Sequence, residues 1–233
     1  MQKIKKTIKI KHMKTLIVSI MLLLCAPGLY AQKKIAEGIV TYSVEWELPE
    51  SMKNMANNFP AEIKVYFKGD SSSTRTESQM YSSNSILNAT TNFERLLVDI
   101  PILNKKYVVT LKAADQKKMS EKLPKLELVR SGTETKMMAG YKVYKFSAVE
   151  RKSNQHFEAW FTNDINITPN ALTRFYDTSY GFPVQFTTYV NGITLKAMVK
   201  EVKSSLIPPK SFVADSDYVE ISLEQLMQMS GGN

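Results

Sequence analysis

Gly38-Ile39-Val40-Thr41-Tyr42-Ser43-Val44-Glu45-Trp46-Glu47-Leu48 alternates without a break. Val40, Tyr42, Val44, Trp46 and Leu48 fall on one side, and Thr41, Ser43, Glu45 and Glu47 on the other. Side chains of a strand point to opposite faces in turn, so this period of two predicts a strand with one buried and one wet face. Residues 61–68 repeat the pattern, with Ile63, Val65 and Phe67 against Lys64, Tyr66 and Lys68, before Gly69-Asp70 supplies a turn. Residues 73–81 carry Arg75 and Glu77 on a polar strand, expected near an edge or solvated on both faces. Short strands follow over 85–91, 95–100, 106–112, 125–130, 141–151 and 155–162. Residues 182–190 and 193–202 flank Asn191-Gly192, whose residue types suit the positive φ angles of a type I′ hairpin turn.

Helical signal is minor. Ser51 is placed to cap a segment bearing Met52, Met55 and Phe59 on one side until Pro60; residues 113–123 form a second amphipathic piece, and Ser222 caps a third. The fold class expected is mainly β (α+β): one antiparallel barrel, half-barrel or sandwich with a few short helices. Methionines recur where helices and turns meet the sheet, which suits core filling and an adaptable apolar surface alike.

Residues 1–31 read as a leader rather than as fold. Lys3, Lys5, Lys6, Lys9, Lys11 and Lys14 precede the apolar run 16–26, then Pro27-Gly28, then Ala31 at the cut. That order is a secretory signal peptide, with Met13 as an alternative start. The run reaches only about 16 Å as a helix, short of a bilayer core of roughly 30 Å, so no transmembrane span is expected. Lipidation of Cys25, and outer-membrane association through it, is disfavoured because bulky Leu22-Leu23-Leu24 stand where a small residue is wanted. Residues 32–233 form one domain on the length prior.

Six of the 31 basic residues fall in the leader, leaving 25 against 22 acidic ones, so the net charge of +9 argues for export and not for nucleic acid. The only cysteine leaves with the leader, so the domain rests on its core without disulfides, which favours a periplasm-like compartment. His156 is then the single imidazole, in a strand-like alternation. No cysteine-rich zinc site, multi-histidine metal site or Cys-His pair can be built, and no phosphate-cradling glycine pattern exists. No metal, cofactor or catalytic residue is expected.

Four segments carry a resemblance: Met138-Ala-Gly-Tyr-Lys-Val-Tyr-Lys-Phe-Ser147, Phe157-Glu-Ala-Trp-Phe-Thr-Asn-Asp-Ile165, Gly181-Phe-Pro-Val-Gln-Phe186, and a tail with Ile207-Pro-Pro-Lys-Ser-Phe212 and Asp217-Tyr218. Together with the Phe67-Lys-Gly-Asp70 turn and Arg75, the chain resembles a family of exported Bacteroidetes-type proteins related to the LolA/LolB lipoprotein-carrier fold. Its layout is similar to that of GLPGLI-type proteins, with Gly-Phe-Pro-Val in place of Gly-Leu-Pro-Gly. The resemblance implies an open half-barrel whose concave face is closed by helices over an apolar cavity, and it carries over no catalytic residue. Val143 and Val202 are aliphatic, so no disulfide of the kind some relatives form is possible.

The expected function is that of a periplasmic lipid- or lipoprotein-binding carrier, with a lipid or acylated protein as partner. The candidate lining residues are Val40, Tyr42, Val44, Trp46, Met52, Met55, Phe59, Ile63, Val65, Phe67 and Trp160. Each also suits plain core packing. An alternative of another class is a ligand-free envelope interaction or scaffold protein that recruits a partner by strand addition along residues 73–81. Hydrolysis by paired carboxylates among Glu45, Glu47, Asp99 and Glu158 is the weakest reading, since alternating acids on strands usually form the solvated face.

Overall fold

The computed structural model of the chain describes residues 35–229 apart from 79–80, 123–124, 152 and 191. The leader, Cys25 and Asn191 therefore lie outside the described residues. Twelve strands build one sheet: β1 (Glu37–Glu47), β2 (Glu62–Lys68), β3 (Ser71–Glu77), β4 (Ser82–Asn88), β5 (Phe93–Ile100), β6 (Lys105–Thr110), β7 (Leu126–Met138), β8 (Tyr141–Glu150), β9 (His156–Thr162), β10 (Phe182–Val190), β11 (Ile193–Ser204) and β12 (Val219–Glu220). Across the sheet the order is β12-β6-β5-β4-β3-β2-β1-β11-β10-β9-β8-β7. Two meanders, β1 to β6 and β7 to β11, are thus joined where the first strand meets the eleventh. Every pair is antiparallel except the two-residue parallel match of β12 to β6. The sheet is curved and unclosed, a half-barrel.

The alternation of β1 sets the inner face. Val40 pairs with Val65 and Val202, and Tyr42 with Ile63 and Val199. Val199 and Val202 are out of phase in a regular strand. A bulge between the Thr41 and Tyr42 pairings leaves Lys200 unmatched and returns both valines to one side. The main core gathers Val40, Tyr42, Val44, Ile63, Val65 and Phe67 with Phe161, Val184, Phe186 and Leu195.

A second, smaller core lies on the opposite face. Register carries Val65 to Thr74, Ser85 and Leu96 along the inner row, so Ile86, Leu97 and Val108 point the other way. Phe212, Ala214 and Tyr218 from the chain's last stretch pack against them. The tail covers the back of one half of the sheet.

β3 corrects an expectation. It lies between β2 and β4, not at an edge, and Ser72, Ser73, Thr74 and Thr76 are buried. Hydroxyls tolerate this where they find partners, as Ser73 Oγ does on Asn84 Oδ1 at 2.7 Å. The long free edge is β7, whose residues are mostly exposed and whose pairing to β8 is broken by a bulge between Arg130 and Thr135.

Two α-helices are short: α1 (Ala113–Lys122) and α2 (Leu223–Met229), the latter opened by a capping box in which Ser222 Oγ accepts from Gln225 N–H at 3.1 Å. The segment expected to be capped by Ser51 is a 3-10 helix, Glu50–Asn58, entered from Pro49 with no side-chain cap. Among the described residues no helix is long and apolar enough to cross a membrane.

Candidate functional site

The inner face is closed by the β9–β10 connection, residues 163–181, here termed the strap. It has little regular structure and shows no helical period, because its backbone bonds are made locally and to the sheet. Asn170 organises its middle: its carbonyl accepts from Thr173 N–H and Arg174 N–H, and its side-chain oxygen accepts from Leu172 N–H at 2.9 Å. Ile165, Ile167, Leu172 and Tyr176 then project into the main core.

Five polar ties fix the strap to the sheet: Lys142 N–H of β8 donates to Asp164 Oδ2 at 3.0 Å, Ser72 Oγ of β3 donates to the Pro169 carbonyl at 3.5 Å, and three more lie nearer its middle. Thr168 Oγ1 donates to the Gly69 carbonyl at 2.8 Å, at the β2–β3 turn. Arg174 Nη1 meets Glu94 Oε1 of β5 at 2.8 Å, with side chains 26% and 10% exposed. The Tyr176 hydroxyl donates to the Thr187 carbonyl of β10. The strap therefore leaves β9, reaches β5 across the concave side, and returns to β10. Gly181 ends it with φ of +96°.

The site is aromatic and poor in charge. The Tyr176 ring stands between Phe161 and Phe186, 5.5 Å from each centroid, and Phe186 also meets Tyr42 at 5.7 Å. Burial pushes the hydroxyls of Tyr42 and Tyr176 well above the usual phenol range; the Asn170 side chain offsets part of this at Tyr42, and the Thr187 carbonyl bond part of it at Tyr176. The Thr188 hydroxyl is buried without a partner among the described residues. Such a site can hold apolar groups with a few hydrogen-bonding atoms. Among the described residues no three His, Asp or Glu side chains converge as a metal ion requires.

The structure brings seven of the expected lining residues together: Val40, Tyr42, Val44, Ile63, Val65, Phe67 and Trp160 all lie in the main core. Trp46 is half-buried at the end of β1, its indole N–H donating to the Pro60 carbonyl at 2.8 Å and its ring 5.1 Å from Phe59. Only Phe59, just past the 3-10 segment, packs on Trp46; Met52 and Met55 are not buried and Met55 is 40% exposed, so the segment contributes no buried residue and the core is closed by the strap in its place. Trp160 is buried but stands in register with Gln185, Met198 and Ser43, the outward row, under the Lys136 ammonium at 3.8 Å. It is nonetheless buried within the same core cluster as the others.

The sequence reading passed over Asn170, Leu172, Tyr176 and the Arg174–Glu94 pair. Their spacing follows neither strand nor helix, and the one local cue is the Asn170–Thr173 turn. His156 opens β9 and is exposed. The chain matches no protein-family model and no curated protein, so the reading of this site rests on its geometry.

Proposed function

We propose that the protein is an exported binding protein that holds an apolar ligand, such as an acyl chain, on the concave side of its half-barrel, with the strap as the part that yields. The observation that carries this reading is the nature of the cover. It is an irregular segment that fills the inner face with Ile165, Ile167, Leu172 and Tyr176, and it is tied to the sheet by five separate polar bonds rather than by a continuous ladder. Segments of that kind open at a fraction of the cost of unfolding. What they vacate is apolar and favours an apolar occupant.

The basic and apolar leader supports export to a periplasm-like compartment, and the resemblance to the lipoprotein-carrier fold supports a lipid or an acylated protein as cargo. A second reading is a ligand-free envelope protein whose core is already complete. It is favoured by the full burial of Val40, Ile63 and Val65 beneath the chain's own residues.

Native mass spectrometry of the purified protein, followed by titration with a dansylated fatty acid, separates the two. Co-purified lipid, or saturable uptake accompanied by faster hydrogen exchange across 163–181, is the result expected of a carrier. A clean protein mass with no uptake leaves the complete-core reading.

A further inference from the structure

The β9–β10 ladder stops early. Its pairs are Phe182 with Thr162, Pro183 with Phe161 and Gln185 with Trp160, and there it ends. On its other side β9 stays bound to β8 as far as His156, and β10 stays bound to β11 as far as Val190. Residues 156–159 and 186–190 are thus extended, held from behind, and not paired with each other. The sheet forks. On its outward side the fork opens as a cleft of about 390 Å³, bordered by His156 and Glu158 on one bank and by Gln185 and Thr187 on the other.

The strap's Tyr176 lies at the base of this fork. Its ring separates Phe161 of β9 from Phe186 of β10, and its hydroxyl occupies the Thr187 carbonyl. Continuing the register from Trp160 and Gln185 by two residues brings Glu158 opposite Thr187. A buried backbone carbonyl without a donor is costly, so Thr187 has two satisfied states: bonded to Tyr176, or bonded across the ladder to β9. The two exclude each other sterically, because the ring that delivers the hydroxyl also holds the strands apart.

We infer that Tyr176 is a wedge that couples the strap to the sheet: when the strap lifts, β9 and β10 zip towards His156 and Tyr189, and when it seats, they are forced open. This rests on the reading above only for what lifts the strap. The coupling itself belongs to the chain. It gives the open-strap state a compensation, since the hydrogen bond lost from Tyr176 is replaced by ladder bonds. A ligand then selects the zipped sheet without having to stabilise the whole displacement.

Opposed cysteines test it. Glu158→Cys with Thr187→Cys, in a Cys25→Ser background, places thiols where zipping would bring their Cα atoms into disulfide range. With Tyr176 intact, oxidation is expected to be slow. Adding Tyr176→Ala is expected to speed it at least tenfold with no ligand present, and Tyr176→Phe, which keeps the ring, severalfold. Adding a fatty acid to the Tyr176 form is expected to speed it as well. Equal rates with and without the tyrosine side chain, in variants that keep the circular dichroism of the parent, overturn the wedge. Acceleration by Tyr176→Ala without any by fatty acid supports the wedge and counts against the ligand reading, so the two fail separately.

Discussion

The hydroxyl of Tyr176 donates to the backbone carbonyl of Thr187, closing by a side chain a gap that a neighbouring strand would otherwise fill. Removing that hydroxyl with Tyr176→Phe leaves the carbonyl short of a donor. Urea unfolding is expected to show a loss of about 1–2 kcal/mol, towards the lower part of the usual penalty because the fork can partly close. A loss under about 0.3 kcal/mol, well below that penalty, would mean that Thr187 has a second donor.

Tyr42 and Tyr176 both have hydroxyls raised by burial, so the folded state holds their protons more tightly than the unfolded chain. Stability contributed in this way is complete below the unfolded tyrosine value of about 10 and falls as pH rises from there towards the folded values. Each group steepens that fall by about 1.4 kcal/mol per pH unit. Tyr42→Phe is expected to remove one such share above pH 10 while leaving the neutral-pH slope unchanged. An unaltered alkaline slope would count against its burial.

Among the described residues the Arg174–Glu94 contact is the one ion pair between the strap and the sheet's far half. Glu94→Gln leaves a partly buried guanidinium unpaired, and a loss of about 2–3 kcal/mol is expected, below the fully buried range because Arg174 is a quarter exposed. Replacing both residues by leucine is expected to restore most of it. Urea midpoints read both; a double variant no better than the single one would show that the pair's geometry, and not the stranded charge, matters.

Two glycines with positive φ differ in what surrounds them. A Cβ at Gly192 meets nothing within 4 Å, so Gly192→Ala bears only the backbone strain of φ +79°, about 1 kcal/mol. At Gly181 the same atom would lie 2.5 Å from the Thr162 carbonyl oxygen and 2.6 Å from Asn163 Oδ1. Gly181→Ala is expected to lose about 1–3 kcal/mol more than Gly192→Ala through overpacking. Thermal unfolding gives the ranking directly, and the reverse order would refute the tight close of the strap.

Legibility followed burial on one face. β1 and β2 announced themselves because Val40, Tyr42, Ile63 and Val65 alternate with polar residues that stay wet. The β10–β11 hairpin did so through its two-residue turn, with Gly192 at φ +79°. β3 misled because its buried side chains are serines and threonines: Ser73 bonds Asn84 and Ser72 the Pro169 carbonyl, partners that no local pattern reveals, while the Thr74 hydroxyl has none among the described residues. The alternation that predicts a strand over 125–130 stops at Arg130; in the fold Gly132 takes φ of +63° inside a bulge and the strand resumes to Met138. The site was half legible. Its sheet side has a period, whereas the strap owes its shape to bonds with Gly69 and Glu94, distant in sequence, and with Thr187 of the next strand.

The meeting of β1 with β11 also sets a timetable. Ser43 bonds the Met198 carbonyl across 155 residues of chain, and these two strands carry the middle of the sheet. β1 to β6 can assemble by local hairpins as soon as they are made, but one edge of the first strand stays bare until the eleventh arrives. Contacts so far apart in sequence close slowly, because loop entropy is spent before any reward comes. A nascent chain of this wiring carries a half-paired, apolar-faced strand from the making of β1, which ends at Glu47, until β11 begins at Ile193. Its first strand is the earliest made of the twelve and among the last completed, so its bare edge is the one longest open to wrong pairing before β11 arrives.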